Sequence, residues 1–372
     1  MSLWDRWLAR RDRLLASRGF QRWAAGFVFT RPIARARARA LFDLVAGFVY
    51  SQVLLASVRL GLFELLAKEP LTLAELTGRL GLPADAAQRL LDAAVALQLL
   101  ERRSGGRYGL GALGVPLVGN PGLLSMIEHH AALYDDLRDP VALLRGTSGA
   151  AALSGYWPYA GDRAPGELDA ASVARYSALM SASQPLVADE ILDAYAVASH
   201  RCLLDVGGGE GGFLARAAQR APSLRLMLFD LPAVADRAQA RFAALGLAHR
   251  ATAVGGDFLC QALPTGADLV TLIRVIHDHS DEGAMALLKA VRNSLPPGGT
   301  LLLAEPMART PGAETMGDAY FGIYLLAMGR GRPRSAEELM QMLQQAGFAQ
   351  VRRLRTHMPL QTGLLMARKA RS

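Results

Sequence analysis

Reactive side chains concentrate in two stretches of this 372-residue chain. One reads Arg274-Val-Ile-His277-Asp278-His279-Ser280-Asp281-Glu282 and follows the apolar run 268–273. An imidazole at the carboxyl end of a strand is placed to take a proton from a reacting hydroxyl, an effect worth about 10²- to 10⁴-fold. A carboxylate behind the ring orients it; Asp278 and Glu305, which ends the run 300–304, are the candidates. The competing reading of His277 is a capping or core histidine, with Ser280 as the cap of the following helix. A metal reading of His277-Asp278-His279 lacks a third ligand, so no metal is expected.

The other stretch, 203–213, reads Leu-Leu-Asp-Val-Gly-Gly-Gly-Glu-Gly-Gly-Phe. It predicts a strand, a tight turn and a helix, with glycine where the backbone turns or meets a ligand. Gly207, Gly209 and Gly212 match the dinucleotide spacing G-x-G-x-x-G. The acids argue against a phosphate. A pyrophosphate on a helix N-terminus wants amides and positive potential, whereas Asp205 and Glu210 favour a cation. S-adenosylmethionine carries a sulfonium and an ammonium and no phosphate, and is the preferred ligand over NAD. A purely structural glycine turn is the third reading. Asp230, with Leu231 beside it, ends the second strand, where an acid accepts from two ribose hydroxyls or caps the helix after Pro232. Asp257, after Gly255-Gly256, can accept from an adenine amino group, with Phe258 packing on the ring. Methyl transfer is an in-line displacement in which the protein mainly positions the partners.

Positioning these groups requires alternating strands and helices. Strands are predicted at 202–206, 225–229, 251–254, 268–273 and 300–304, with late strands near 351–355 and 364–367. That is an α/β fold, a mostly parallel sheet with helices on both faces and the ligand at the strands' carboxyl ends. Ahead of it lies a winged helix-turn-helix. Thr72 and Glu75 make a capping box, Gly81 ends a short helix, Pro83 opens the next, and 101–110 with Gly105-Gly106 reads as the wing. The second helix, 84–98, carries Asp85, Asp92 and one arginine. That is poor equipment for DNA, so dimerisation is the expected role and no nucleic acid is expected.

At 51% hydrophobic and 20% charged, the chain is globular and long enough for two domains. The divisions read are a basic amphipathic arm 1–40, a helical winged-helix region 41–170 and a catalytic domain 171–372. The arm holds ten arginines against Asp5 and Asp12, which accounts for the whole net charge of +8. Trp4, Trp7 and Trp23 lie among those arginines, which suits either a membrane interface or a helix docked on the body. The uncharged run 44–58 is short for a span and predicts a buried helix. Cys202 and Cys260 read as buried free thiols in a reducing compartment, hence a cytoplasmic protein, peripheral to a membrane if the arm binds one. Tyr176 and Met180 on one helix, with Ser183 and Gln184, and Met316, Tyr320, Phe321 and Tyr324 on another, face either an apolar ligand or core.

The set Asp205-Val-Gly-Gly-Gly, Phe229-Asp-Leu-Pro, Gly256-Asp257, His277 to Glu282, Leu295-Pro-Pro-Gly-Gly and Ala304-Glu305 resembles the S-adenosylmethionine-dependent O-methyltransferases of the caffeate and acetylserotonin type. The resemblance covers about residues 41–372. It implies a seven-stranded class I methyltransferase domain behind a winged-helix dimerisation domain, and an intertwined homodimer. It also implies cofactor contacts from Gly207, Gly209, Asp230, Asp257 and Phe258, and His277 as base with Glu305 behind it. Residues 35–52 and the aromatic basic arm are similar to the bacterial carotenoid branch, the hydroxyneurosporene or demethylspheroidene O-methyltransferases. That implies a tertiary hydroxyl on a long polyene. Phenol-methylating relatives carry a second glutamate in the late loop, where this chain has Arg332-Pro333-Arg334-Ser335. Other acceptors, a tetrapyrrole carbon or a polyketide phenol, and a cofactor-sensing winged-helix regulator are the alternatives.

Overall fold

The computed structural model describes residues 2–147, 149, 152–153, 184–358 and 362–371. The chain forms two compact units, Met1–Gly119 and Asn120–Ser372.

In the first unit, helix α1 (Leu3–Ala16) starts at a capping box in which Ser2 and Asp5 satisfy each other's amides. It buries no residue, and α2 (Arg18–Gly26) buries only Ala24. Trp4 stacks on Trp7, and Trp23 on Phe27, yet all four rings stay largely exposed. Helix α3 (Arg31–Arg59) corrects the expectation of a buried helix. Only Leu55, Ser57 and Val58 are buried, while Leu41, Phe42, Leu44, Val45 and Phe48 are 62–82% exposed. The physical reason is local. Within this unit α3 meets α2, α4 (Leu62–Lys68) and α6 (Ala84–Ala96), but only at its C-terminal end do these contacts bury its side chains.

The winged helix-turn-helix forms as read. Strand β1 (Leu71–Thr72) leads into α5 (Leu73–Leu80), capped by the Thr72–Glu75 box and ended by Gly81 at φ +64°. Helix α6 packs Ala87, Leu91 and Ala94 inward. The wing is β2 (Leu100–Arg103) and β3 (Arg107–Leu110), antiparallel, in sheet order β1-β3-β2. Its tip holds Gly105 and Gly106 at φ +69° and +68°, a left-handed conformation that glycine adopts without strain. On α6 the exposed Arg89 pairs with Asp85, and Asp92 pairs with Arg102 of the wing.

The second unit opens with α7 (Pro121–Asp136) and α8 (Pro140–Leu144). Its sheet contains β4 (Cys202–Val206), β5 (Arg225–Asp230), β6 (Ala251–Gly255), β7 (Leu269–Ile273), β8 (Thr300–Glu305), β9 (Phe348–Leu354) and β10 (Gly363–Lys369). The order is β6-β5-β4-β7-β8-β10-β9. The first five are parallel, and β10 runs antiparallel to both neighbours. Leu203 and Leu204 face opposite hydrophobic clusters, as do Leu302 and Leu303, so both faces of the sheet are covered. Double burial is why these strands read as unbroken apolar runs. From β4 the chain winds outward one way through β5 and β6, then returns to β7 on β4's other side. The crevice at this reversal is where such folds bind ligands, and it sets the loops after β4 and β7 side by side. Cys202 is buried, but Cys260 is exposed and lies in a turn; the run before it ends at Gly255, which corrects its assignment to a buried strand.

Candidate active site

The loop after β4 is a crowded glycine turn. Gly207, Gly209 and Gly211 have φ of +69°, +58° and +74°. A Cβ on Gly207 would stand 2.7 Å from Val275 Cγ2, and one on Gly208 would stand 2.5 Å from Asp205 Oδ2. The first contact ties the loop to the strand-end segment two residues before His277. Asp205 is buried. Its Oδ1 accepts from Thr271 Oγ1 at 2.6 Å, and its Oδ2 has no hydrogen-bond partner among the described residues. Burial pushes its pKa up to about 7, with Thr271 opposing and Asp230 adding to the rise. Asp230, also buried, accepts from the amides of Gly209 (2.8 Å) and Leu231 (2.7 Å). Burial raises it to about 6 against those two amides. Asp205, Gly207, Gly209, Asp230 and Leu231 therefore form one cluster.

Glu210 plays a different part from the one its sequence position suggests. It is paired with Arg237, Nε to Oε1 at 2.8 Å, so it adds little net negative charge to the loop. Asp257 accepts from the Leu259 amide at 2.8 Å in its own turn, and Phe258 meets His279 edge-on at 5.3 Å. His279, mainly through burial and then the charge of His277, is lowered to about 4.

His277 lies on a short 3-10 turn, Ile276–Asp278. Its Nδ1 contacts Glu305 Oε2, while Glu305 Oε1 accepts from the amides of Val275 (3.0 Å) and Ile276 (2.7 Å). Glu305 is a buried carboxylate at the end of β8, one strand over, so the sheet itself delivers it to the ring. Asp278 Oδ1 stands 3.2 Å from His277 Nε2 without a hydrogen bond, and it has no other hydrogen-bond partner among the described residues. Burial works against charging the imidazole, but the Asp278 and Glu305 carboxylates outweigh it and raise His277 to about 9. Burial likewise lifts Asp278 to about 6.

An aromatic wall adjoins the base. The Phe321 ring lies 6.0 Å from the His277 ring and 5.0 Å from Tyr320. Tyr320 Oη bonds His130 Nε2, and Tyr324 Oη bonds His129 Nε2, both at 2.7 Å. Burial raises the Tyr320 phenol, lowers His130, and lowers His129 to about 4. Tyr324 is buried among Leu133, Leu143 and Met328, whereas Tyr320 and Met316 are half-buried. Tyr176 and Met180 lie outside the described residues. The paired histidines of α7 went unread in the sequence; two adjacent histidines on an apolar helix were the available signal. Arg334, nearly fully buried against the His277 turn, gave none.

Residues 137–349 match the family model of the O-methyltransferase domain, and residues 42–120 match the O-methyltransferase dimerisation domain. The chain belongs to the S-adenosylmethionine-dependent O-methyltransferases. It is 44% identical to the demethylspheroidene O-methyltransferase of Cereibacter sphaeroides over 91% of this chain and 89% of that one. With the enzyme of that name from Rhodobacter capsulatus it shares 41% identity, over 91% and 84%. The crystal structure of human N-acetylserotonin methyltransferase in complex with SAM superposes with a TM-score of 0.70 at 25% identity, covering 90% of this chain and 98% of that one. The methyltransferase's crevice fits its cofactor. Asp205 offers a buried oxygen in need of a donor, and where a side chain would stand at Gly209 the space is open. Bound there, S-adenosylmethionine supplies an electrophilic methyl group.

Proposed function

We propose that this methyltransferase acts on a tertiary hydroxyl of an acyclic carotenoid such as demethylspheroidene or hydroxyneurosporene, with His277 as general base. The 44% identity to a demethylspheroidene O-methyltransferase, over 91% of this chain, is the observation that supports this substrate class. Asp205, Gly207, Gly209, Asp230 and Leu231 hold the cofactor, with Asp257 and Phe258 at its adenine end. A carboxylate can only accept, so Glu305 keeps the His277 proton on Nδ1 and leaves Nε2 as the acceptor for the substrate's proton. Asp278 steadies the imidazolium that results. Met316 and Tyr320 contribute to the pocket wall with Phe321; Tyr324 supports that wall from the core.

The chain acts as a homodimer, a reading supported by the match to the dimerisation domain. Helix α3 is long and apolar enough to cross a membrane, but helices covered by protein pass the same test, and the matched region begins at residue 42 on its exposed face. A second copy covers that face. The arm meets anionic lipid through its exposed tryptophans and arginines. Incubation with labelled S-adenosylmethionine and a panel of hydroxylated polyenes and phenols tests the substrate class. Label is expected in tertiary polyene alcohols, and transfer to phenols alone would overturn the assignment. Removing residues 1–30 is expected to release the protein from anionic liposomes; unchanged co-sedimentation would take the arm out of this reading.

A further inference from the structure

His277 is carried by a turn too short to hold itself. From the donor side, Glu305 grips the amides of Val275 and Ile276 and the ring itself. From the acceptor side, the grip comes from the late loop. Arg334 Nη1 donates to the Ile276 carbonyl at 2.9 Å, Arg334 Nη2 to the His279 carbonyl at 2.8 Å, and the Arg332 amide to the His277 carbonyl at 2.9 Å. Gly331, at φ +75°, lets the loop come this close, since a Cβ there would lie 2.0 Å from the His277 carbonyl oxygen.

The guanidinium has an anchor of its own. Asp281 Oδ1 accepts from Arg334 Nε at 3.0 Å and from Nη2 at 2.8 Å. The Ala308 amide donates to the Arg334 carbonyl at 3.0 Å, and Ala308 and Ser335 form a parallel bridge. The Arg334 side chain is 1% exposed, while Asp281 is 55% exposed. Burying a cation against a half-solvated partner is a poor source of stability. A planar fork with several fixed donors is, however, the side chain that can hold two carbonyls and a carboxylate in one geometry.

We propose that Arg334 is the positioning residue of the base: its guanidinium holds the turn by the carbonyls of Ile276 and His279, and so keeps the imidazole seated on Glu305. Main-chain clamping does here what a second carboxylate on the ring would do at Pro333. The inference rests on the reading of His277 as the base. Its test is arranged so that the two fail separately.

Arg334→Met is compared with Arg334→Lys, Asp281→Asn and His277→Ala in the full chain. For Arg334→Met, kcat is expected to fall about 10²-fold, the size of loss that a 1 Å misplacement produces. KM for S-adenosylmethionine should stay within about twofold, because Arg334 bonds the His277 turn and none of the residues assigned to the cofactor. The low-field Nδ1 proton of His277 should shift or broaden in the NMR spectrum. Arg334→Lys restores only part of kcat, since one ammonium cannot reproduce the fork. Asp281→Asn keeps the buried guanidinium and should show the same pattern at a smaller amplitude. An unmoved His277 resonance with kcat within about twofold in both Arg334→Met and Asp281→Asn overturns the proposal. Loss of adenosylhomocysteine binding in step with kcat, with the His277 resonance unmoved in Asp281→Asn, overturns it also, by making Arg334 a residue of general stability. Full turnover by His277→Ala removes the base assignment alone, while a shifted His277 resonance in Arg334→Met still establishes the clamp.

Discussion

Replacing His277 with alanine is expected to lower kcat by about 10²- to 10⁴-fold, with the affinity for adenosylhomocysteine changed less than about twofold. The ring touches Glu305, Asp278 and Phe321, and none of these belongs to the cluster around Asp205 and Asp230. Glu305→Gln should be nearly as damaging for a different reason. Glutamine can still accept from the Val275 and Ile276 amides through one oxygen. Its NH₂ then faces Nδ1, which must become the acceptor, and the ring proton moves to Nε2. A base protonated on its working nitrogen cannot take the substrate's proton. The order expected is therefore wild type far above Glu305→Gln, with Glu305→Gln close to His277→Ala. Initial rates with labelled cofactor, alongside calorimetry of adenosylhomocysteine, measure both parts. Turnover of His277→Ala within about threefold of wild type would end the base assignment.

What could be read from the sequence was what local residue order determines. Strands β4, β5, β7 and β8 stood out because burial on both faces leaves no polar alternation. The glycine turn was legible because crowding and positive φ both exclude a side chain. Thr72 with Glu75 announced a helix start because the capping box closes within three residues. The readings that failed depended on distant groups. Glu210 looked like free negative charge until Arg237, on the helix that follows β5, closed on it. The run 44–58 looked like core, but apolarity does not say whether a helix is covered by its own chain or by something else. Glu305 could be named from its place at a strand end. Arg334 could not, because a buried guanidinium and a solvated one look alike in sequence.

Activity is expected to climb as pH rises from 6.5 towards about 9 in assays saturated with acceptor. With its pKa raised to about 9, only about one His277 in a hundred is neutral at pH 7, and only the neutral ring accepts a proton. Asp278→Asn removes a carboxylate that holds the imidazolium, so the rising limb should move to lower pH while its shape persists. A rate already level at pH 6.5, unmoved by Asp278→Asn, would contradict this charge arrangement. The same ionisation must appear in stability. The folded pKa exceeds the unfolded value near 6.5, so the charged ring stabilises the native state fully below pH 6.5, and this contribution is lost as pH rises through 9. Asp205 acts with the same sign in a lower window. It is raised from 3.8 to about 7, so its preference for the protonated form favours the fold fully below 3.8 and is lost as pH rises through about 7. Thermal unfolding of the cofactor-free protein should thus show a decline in Tm between pH 8 and 9 that His277→Ala abolishes. Because Asp205 has largely finished titrating by about pH 8, a decline above that pH that survives His277→Ala would have to come from a group other than these two.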